Sequence, residues 1–148
     1  MKPRRILIAD AHPNMMEGIR LLLRERFDVV LMAADAPSLR DAVESGQFDV
    51  VIVDFSMRIS PGDCVPQFVR KINPSARFIV LSVHDDLAVV DKCLTAGAAG
   101  FVLKRTAVDD LIPAVEAVLR GDAYVSPSVQ AKREKAGSRA ASKEQESR

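Results

Sequence analysis

Short apolar runs alternate along this chain with longer stretches in which apolar residues return every three or four positions. The runs are Ile6–Ala9, Val29–Ala33, Val50–Val53, Phe78–Ser82 and Gly100–Leu103. Each run is continuously apolar, which predicts strands that are buried on both faces. The stretches between and after them have the spacing of amphipathic helices.

Punctuating residues mark where several of these helices begin and end. Asp63 precedes the third helical stretch and is predicted to be its N-cap. Gly46 and Gly97 follow the second and fourth stretches and are predicted to end them. Pro113 lies inside the last helical stretch, so we expect a kink or a late start there.

Five strand–helix units joined by right-handed crossovers predict an α/β fold. We expect a doubly wound, five-stranded parallel sheet between two helical layers, a flavodoxin-like sandwich. In such folds the reactive crevice lies at the carboxyl ends of the strands. Asp10, Asp54, Ser82 and Lys104 occupy the ends of the first, third, fourth and fifth strands. All four side chains are therefore predicted to meet in one crevice.

Composition narrows the class of protein further. With 48% hydrophobic and 28% charged residues in 148, the chain is long and apolar enough for one globular core. No apolar run is long enough to cross a bilayer, and Met1–Arg5 leads directly into the first strand without a secretory signal. Cys64 and Cys93 lack metal-ligand spacing and are predicted to be reduced thiols. We therefore expect a cytoplasmic protein without membrane contact.

The net charge of +1 is unevenly distributed. Residues 131–148 contain six Lys/Arg and three Glu, a net +3, which leaves −2 for the first 130 residues. The folded part therefore has no basic footprint for nucleic acid. We expect a domain over residues 1–128, followed by a charged, Ala/Ser-rich linker or tail over residues 129–148 that is partly disordered.

The residues at the strand ends restrict the chemistry. The sequence has neither a G-x-S-x-G turn nor a glycine-rich phosphate-binding loop, which argues against hydrolases of that type and nucleotide-binding folds. Two carboxylates favour a hard dication such as Mg²⁺. With the metal bound, one carboxylate can attack a phosphoryl group, while Ser82 and Lys104 hold phosphoryl oxygens. The predicted product is an aspartyl phosphate.

Four segments at these strand ends carry a resemblance to a known family. They are Ile8–Pro13, Val53–Met57, Val80–Ser82 and Gly100–Lys104. Together they resemble the signature of response-regulator receiver domains over about Arg5 to Ser128. The Asp-x-His-Pro after the first strand and the Gly-Asp-Ala-Tyr-Val-Ser-Pro after the last helix resemble the subfamily that precedes a helix-turn-helix DNA-binding output.

The resemblance implies a role for several side chains. Asp54 would be the phosphoacceptor, and Ser82 and Lys104 would bind the phosphoryl group. Asp10, Asp54 and the backbone carbonyl of Ser56 would hold Mg²⁺.

Two further positions would act in switching and timing. Phe101 would be a switch residue that moves when Ser82 moves, and His84 would tune the lifetime of the phosphate.

The sequence departs from the family pattern beside Asp10. A second acidic metal ligand usually follows that residue, and Ala11 stands there in this chain. The loop after Asp54 reads Met57-Arg58-Ile59 in place of the usual Met-Pro-Gly. The loss of the carboxylate at Ala11 predicts weaker Mg²⁺ binding.

Three functions compete at this point. The first is a phosphorylation-driven switch, fed by a histidine kinase, that acts on transcription through the Ser82/Phe101 face and is not an enzyme in the usual sense. The second is a degenerate receiver that works by phosphate-independent protein contact, as Ala11 suggests. The third, a phosphatase of the haloacid-dehalogenase type, needs an acid/base Asp where Ser56 stands.

The resemblance also implies partners. A homodimer through the last helix is expected. DNA would be reached only through an output domain absent from this chain. We expect the chain to end in the linker before such a domain, and the alternative is a single-domain receiver.

Overall fold

Six parallel strands form one sheet at the centre of the computed structural model, which describes residues 4–60 and 62–146. Their order is β2-β1-β3-β4-β5-β6. The strands are β1 (Arg5–Ala9), β2 (Val29–Ala33), β3 (Val50–Asp54), β4 (Phe78–Ser82), β5 (Gly100–Leu103) and β6 (Tyr124–Val125). The first five confirm the predicted strands to within one residue at either end.

The predicted number of five strands is wrong, because β6 adds a sixth at the edge. Its two residues pair in parallel with Gly100 and Phe101 of β5. The amides of Tyr124 and Ser126 donate to the carbonyls of Ala99 and Phe101 at 3.1 and 2.9 Å. Two residues are too few for any hydrophobic period, so this strand is created by pairing alone.

Helices cover both faces of the sheet, as predicted for a three-layer sandwich. They are α1 (Pro13–Arg24), α2 (Ala36–Ser45), α3 (Val65–Ile72), α4 (Leu87–Thr95), α5 (Ala107–Leu119) and α6 (Pro127–Glu146). Residues of α1 and α5 share one core cluster, and residues of α2, α3 and α4 share the other. No helix in the described part of the chain combines the length and apolarity needed to cross a bilayer.

The central strands contribute side chains to the cores on both faces of the sheet, as their continuous apolar runs predicted. In β1, Ile6 and Ile8 pack with α1 and α5, while Leu7 and Ala9 pack on the opposite face. The outer strand β2 is the exception, since Leu31 and Met32 are exposed there. A strand at the edge of a sheet has fewer neighbours to cover it.

The helix boundaries correct one predicted cap. Cys64, not Asp63, is the N-cap residue of α3, and its side chain makes no capping hydrogen bond. Asp63 accepts instead from Lys71 Nζ at 3.2 Å. Gly97 follows α4 at φ 104°, a backbone conformation that favours glycine.

Two predictions concern the last helices, one at Pro113 and one in the tail. The helix α5 contains Pro113 and begins at Ala107, directly after a short 3₁₀ turn over Lys104–Thr106, so it has no late start.

The tail expected to be partly disordered is helical to Glu146, with Val129 buried at its base. Its many Ala, Lys, Glu and Arg residues are strong helix formers. The boundary at residues 128/129 and the partial disorder of the tail stay predictions, and residues 1–3, 61 and 147–148 lie outside the described residues.

Candidate functional site

The carboxyl ends of four neighbouring strands meet at one edge of the sheet. Asp54 ends β3 beside Leu81 of β4, and Ser82 ends β4 beside Leu103 of β5. Asp10 follows β1, whose last residue pairs with Val53. This register brings Asp10 and Asp54 side by side, as the pattern of strand ends predicted.

Asp54 lies at the centre of this edge and is almost completely buried. Its Oδ2 accepts a hydrogen bond from Lys104 Nζ at 2.7 Å. Its Oδ1 accepts from the backbone amide and from the Oγ of Ser56, both at 2.9 Å. Both oxygens of the carboxylate are therefore oriented by donors.

Asp10 is also fully buried, but its two oxygens differ. Oδ1 accepts from the His12 amide at 2.9 Å and lies 3.0 Å from the Nδ1 atom of the same residue. Oδ2 has no hydrogen-bond partner among the described residues, and Lys104 Nζ is 3.8 Å away from it. The backbone amide of Asp10 donates to Ala33 at 3.1 Å, which fixes the residue at the end of β1.

The two carboxyl groups titrate in opposite directions. Burial raises the pKa of Asp10 above its ordinary value, and contact with Asp54 raises it further. Burial also acts to raise the pKa of Asp54, yet the contact with Asp10 and the hydrogen bonds from Lys104 and Ser56 outweigh it and leave that pKa lowered. Asp54 is therefore the group that carries the charge, and Asp10 is the group that holds a proton more readily.

Ser82 and His84 form a small turn next to the carboxylates. The Oγ of Ser82, which is buried, accepts from the His84 amide at 2.9 Å and donates to the His84 carbonyl at 3.1 Å. No hydrogen bond among the described residues joins Ser82 to Asp54 or Lys104. Of the residues predicted to hold phosphate, Lys104 is thus in contact with Asp54, and Ser82 is engaged with its own loop.

Comparison with known proteins identifies the family of this site. A family model, the response regulator receiver domain, matches residues 6–116. The chain belongs to the response regulator receiver domain family.

Named relatives and solved structures agree with this assignment. The transcriptional regulatory protein DegU of Brevibacillus brevis is 33% identical over 127 residues, covering 84% of this chain and 53% of that protein. The probable transcriptional regulatory protein NarL of Mycobacterium tuberculosis is 32% identical, with 84% and 59% covered. The chain thus spans about half to three fifths of the length of these relatives.

Solved structures share the fold. The RcsB response regulator of Salmonella typhimurium matches with a TM-score of 0.80 and 30% identity, covering 88% of this chain and 66% of that one. A LuxR-family two-component response regulator from Aurantimonas sp. SI85-9A1 matches with a TM-score of 0.79 and 29% identity, covering 94% and 99%. The receiver fold therefore accounts for nearly the whole chain.

In this receiver domain the predicted switch residue is part of the core. Phe101 is fully buried on β5, between Val80 of β4 and Val125 of β6. It belongs to the same apolar cluster as Val129 of α6. A change in the Phe101 side chain would therefore be felt by both β6 and α6.

The donor atoms of the receiver site suit a dication. Asp10, His12 and Asp54 each offer one ligand atom within 4.8 Å of the others, and the buried Oδ2 of Asp10 lacks a hydrogen-bond donor. Sequence analysis missed His12 as a member of the site. The spacing Asp-x-His was the available signal, because the turn it forms brings the imidazole back over Asp10.

Proposed function

We propose that this receiver domain accepts a phosphoryl group on Asp54 from a histidine kinase and thereby regulates transcription through an output domain. The observation that carries the proposal is the buried carboxylate of Asp54, held at 2.7 Å from Lys104 at the carboxyl edge of the sheet. The names of the relatives, which are transcriptional regulators and two-component response regulators, support the output. The domain is a signalling module that modifies itself.

The geometry supports Asp54 as the nucleophile. Its lowered pKa keeps the carboxylate ionised at neutral pH, and the two donors of Ser56 leave Oδ1 oriented. A carboxylate oxygen forms the bond to phosphorus while the bond from phosphorus to the donor nitrogen breaks, and that nitrogen keeps the electron pair. Lys104 is already close enough to pass from the carboxylate to a phosphoryl oxygen, where it offsets the new charge.

A dication would assist this transfer. Asp10, Asp54 and the Ser56 carbonyl would hold Mg²⁺, which supplies electrophilic stabilisation of phosphoryl oxygens when it is bound. The absence of a carboxylate at Ala11 weakens such a site, because the missing ligand must be replaced by water.

The loop after β4 offers a route from the phosphate to the last helix. If Ser82 turns toward a phosphoryl group, its two hydrogen bonds to His84 must break. The adjacent Asp85 contacts Lys132 of α6 at 3.5 Å and Arg105 at 3.4 Å. Movement of this loop, together with repacking of Phe101, would therefore change the contacts that hold α6 against the domain. His84 would set how exposed the phosphate is to water.

Phosphorylation of Asp54 is directly testable. Incubation with a small phosphodonor and Mg²⁺ should add one phosphoryl group by intact mass, and Asp54→Asn should abolish it. Asp63→Asn is the matched control, because Asp63 also contacts a lysine ammonium but is away from the strand ends. Labelling that persists in Asp54→Asn would refute the assignment, and so would loss of labelling in both variants.

Ala11 favours a second candidate function, a receiver that acts by protein contact without phosphate. In that case Lys104 would serve as a permanent counter-ion of Asp54, and the pair would stabilise one fixed conformation. Failure of the parent to take up phosphate or beryllofluoride, together with unchanged partner binding in Asp54→Asn, would support this reading over the first.

We also propose a homodimer, since RcsB forms dimers in a DNA-bound structure and two-fold pairs are the commonest closed assembly. The apolar residues of α5 that suggested this interface are mostly buried within the domain, although Val108 is exposed. Sedimentation velocity over a range of concentrations, with and without beryllofluoride, should reveal the dimer. A monomer under all these conditions would contradict it.

A further inference from the structure

The imidazole of His12, the residue after Ala11, lies beside the two buried carboxylates of the site. Its Nδ1 atom lies 3.0 Å from Asp10 Oδ1 and 3.5 Å from Asp54 Oδ2. The side chain is 64% exposed, so the ring can adjust without disturbing the core. A nitrogen donor thus faces the same point as two buried carboxylates.

These separations are those of ligands around one metal ion. Donor atoms about 2.0–2.2 Å from a single ion lie roughly 3.0–3.5 Å from one another in tetrahedral or octahedral geometry. The second observation that points to a ligand is Asp10 Oδ2, which is buried among the described residues without a hydrogen-bond donor. A cation bound to the Asp10 carboxylate would give that oxygen a closer partner than the Lys104 ammonium, which lies 3.8 Å away.

We propose that His12 is a metal ligand through Nδ1, and that the site prefers a transition-metal dication such as Co²⁺ or Zn²⁺ to Mg²⁺. This deepens the proposed function by naming the class of metal at the same site, but metal binding itself requires no phosphate transfer. Mg²⁺ demands oxygen ligands and gains little from an imidazole. A site of one imidazole and two carboxylates suits the metals toward the end of the divalent series.

The structure offers a matched control for this proposal. His12 and His84 are the only histidines in the sequence, and His84 lies on the neighbouring loop without belonging to the donor cluster. Untagged protein would be titrated calorimetrically with Zn²⁺, Co²⁺ and Mg²⁺, in the absence of any phosphodonor. His12→Ala should weaken Zn²⁺ and Co²⁺ binding by at least about tenfold, and should change Mg²⁺ binding by less than about threefold.

Three further variants, at other positions in or near the site, sharpen the test. His84→Ala should leave all three affinities unchanged, and Asp10→Asn should weaken all of them. Ala11→Asp adds an oxygen ligand and should raise Mg²⁺ affinity by about tenfold, or 1.4 kcal/mol. In long-range ¹H–¹⁵N spectra, Zn²⁺ should shift the Nδ1 signal of one imidazole, and that signal should be missing from His12→Ala.

Three results would overturn the proposal. They are Mg²⁺ binding as tight as Zn²⁺ binding in the parent, unchanged Zn²⁺ affinity in His12→Ala, and Zn²⁺ binding that survives Asp10→Asn. Because these titrations contain no phosphoryl donor, they are independent of the labelling of Asp54. Unlabelled Asp54 with intact Zn²⁺ binding would refute the proposed function alone.

Discussion

Lys104 is the lysine in contact with both buried carboxylates, and replacing it isolates the effect of its charge. We choose Lys104→Met, because methionine keeps much of the apolar stem and removes the ammonium. The ammonium lies 2.7 Å from Asp54 and 3.8 Å from Asp10, and its side chain is only 7% exposed. The substitution therefore leaves two adjacent carboxyl groups without their counter-ion.

The size of the effect follows from these distances. At an effective dielectric constant of about 20, the 2.7 Å contact is worth roughly 6 kcal/mol of gross attraction. Burying the ammonium costs free energy, and methionine recovers that cost, so the net loss is smaller. Removing one partner of a buried pair typically costs about 3–5 kcal/mol. We expect Lys104→Met to lower the free energy of unfolding by about 3 kcal/mol at pH 7.5.

The loss should depend on pH in a defined direction. In the parent, the lowered pKa of Asp54 contributes stability that is present above the ordinary value of 3.8 and disappears as pH falls through the lowered value. In Lys104→Met, burial dominates and raises the pKa of Asp54, so the variant gains stability as the pH falls from neutrality. The difference between the two proteins should therefore shrink from pH 7.5 to pH 5.

Urea unfolding of parent and variant at both pH values measures this difference. Lys71→Met is the matched control, because Lys71 contacts Asp63 at 3.2 Å but is largely exposed, and such a pair is worth less than about 1 kcal/mol. Combining Lys104→Met with Asp54→Asn should recover much of the loss, since the buried charge is then absent. Equal losses for the two lysine variants, or a difference that grows at low pH, would refute the electrostatic reasoning.

Three further outcomes are expected. Asp10→Asn should raise the thermal unfolding temperature of metal-free protein at pH 7, because burial and then Asp54 raise the Asp10 pKa. This gain in unfolding temperature should fade as the pH approaches 3.8, and a gain that is constant with pH would argue against a charge effect. Ser126→Ala should lower the free energy of unfolding in urea by about 1–3 kcal/mol. Ser126 Oγ donates a hydrogen bond to buried Asp110 at 2.7 Å and accepts one from the Leu103 amide at 3.0 Å. An unchanged free energy of unfolding would mean that water replaces the hydroxyl. Burial raises the pKa of Cys93 to about 12, so a thiol reagent at pH 8 should label only Cys64 in folded protein, and rapid labelling of both thiols would contradict the buried position.

Sequence pattern alone was sufficient for the framework of this protein. Continuous apolar runs predicted β1, β3, β4 and β5 because strands buried on both faces leave no polar position. The alternation of strands and helices then placed Asp10 and Asp54 at one edge, since parallel strands end on the same side. These inferences succeed because each depends on residues close together in the chain.

Other features were decided by tertiary contacts. The strand β6 exists because Tyr124 and Val125 pair with the free edge of β5. Two residues are too few to show the alternation of apolar and polar residues from which a strand is predicted. The helix α3 takes Cys64 as its N-cap, while Asp63 accepts a hydrogen bond from Lys71. The partner of β6 lies more than twenty residues away in the chain, which is farther than a local pattern extends.

The features of the site also fall into those that the sequence predicted and those that tertiary contacts decided. The sequence identified Asp54 and Lys104 as strand-end residues, but the opposite pKa shifts of Asp10 and Asp54 arise only when both carboxyl groups are buried and brought into contact with each other. His12 belongs to the site because the turn after Asp10 places its ring next to the carboxylates. Local spacing specifies which residues reach the edge of the sheet, whereas distances, desolvation and charge coupling are properties of the assembled fold, because they depend on groups brought together from separate strands.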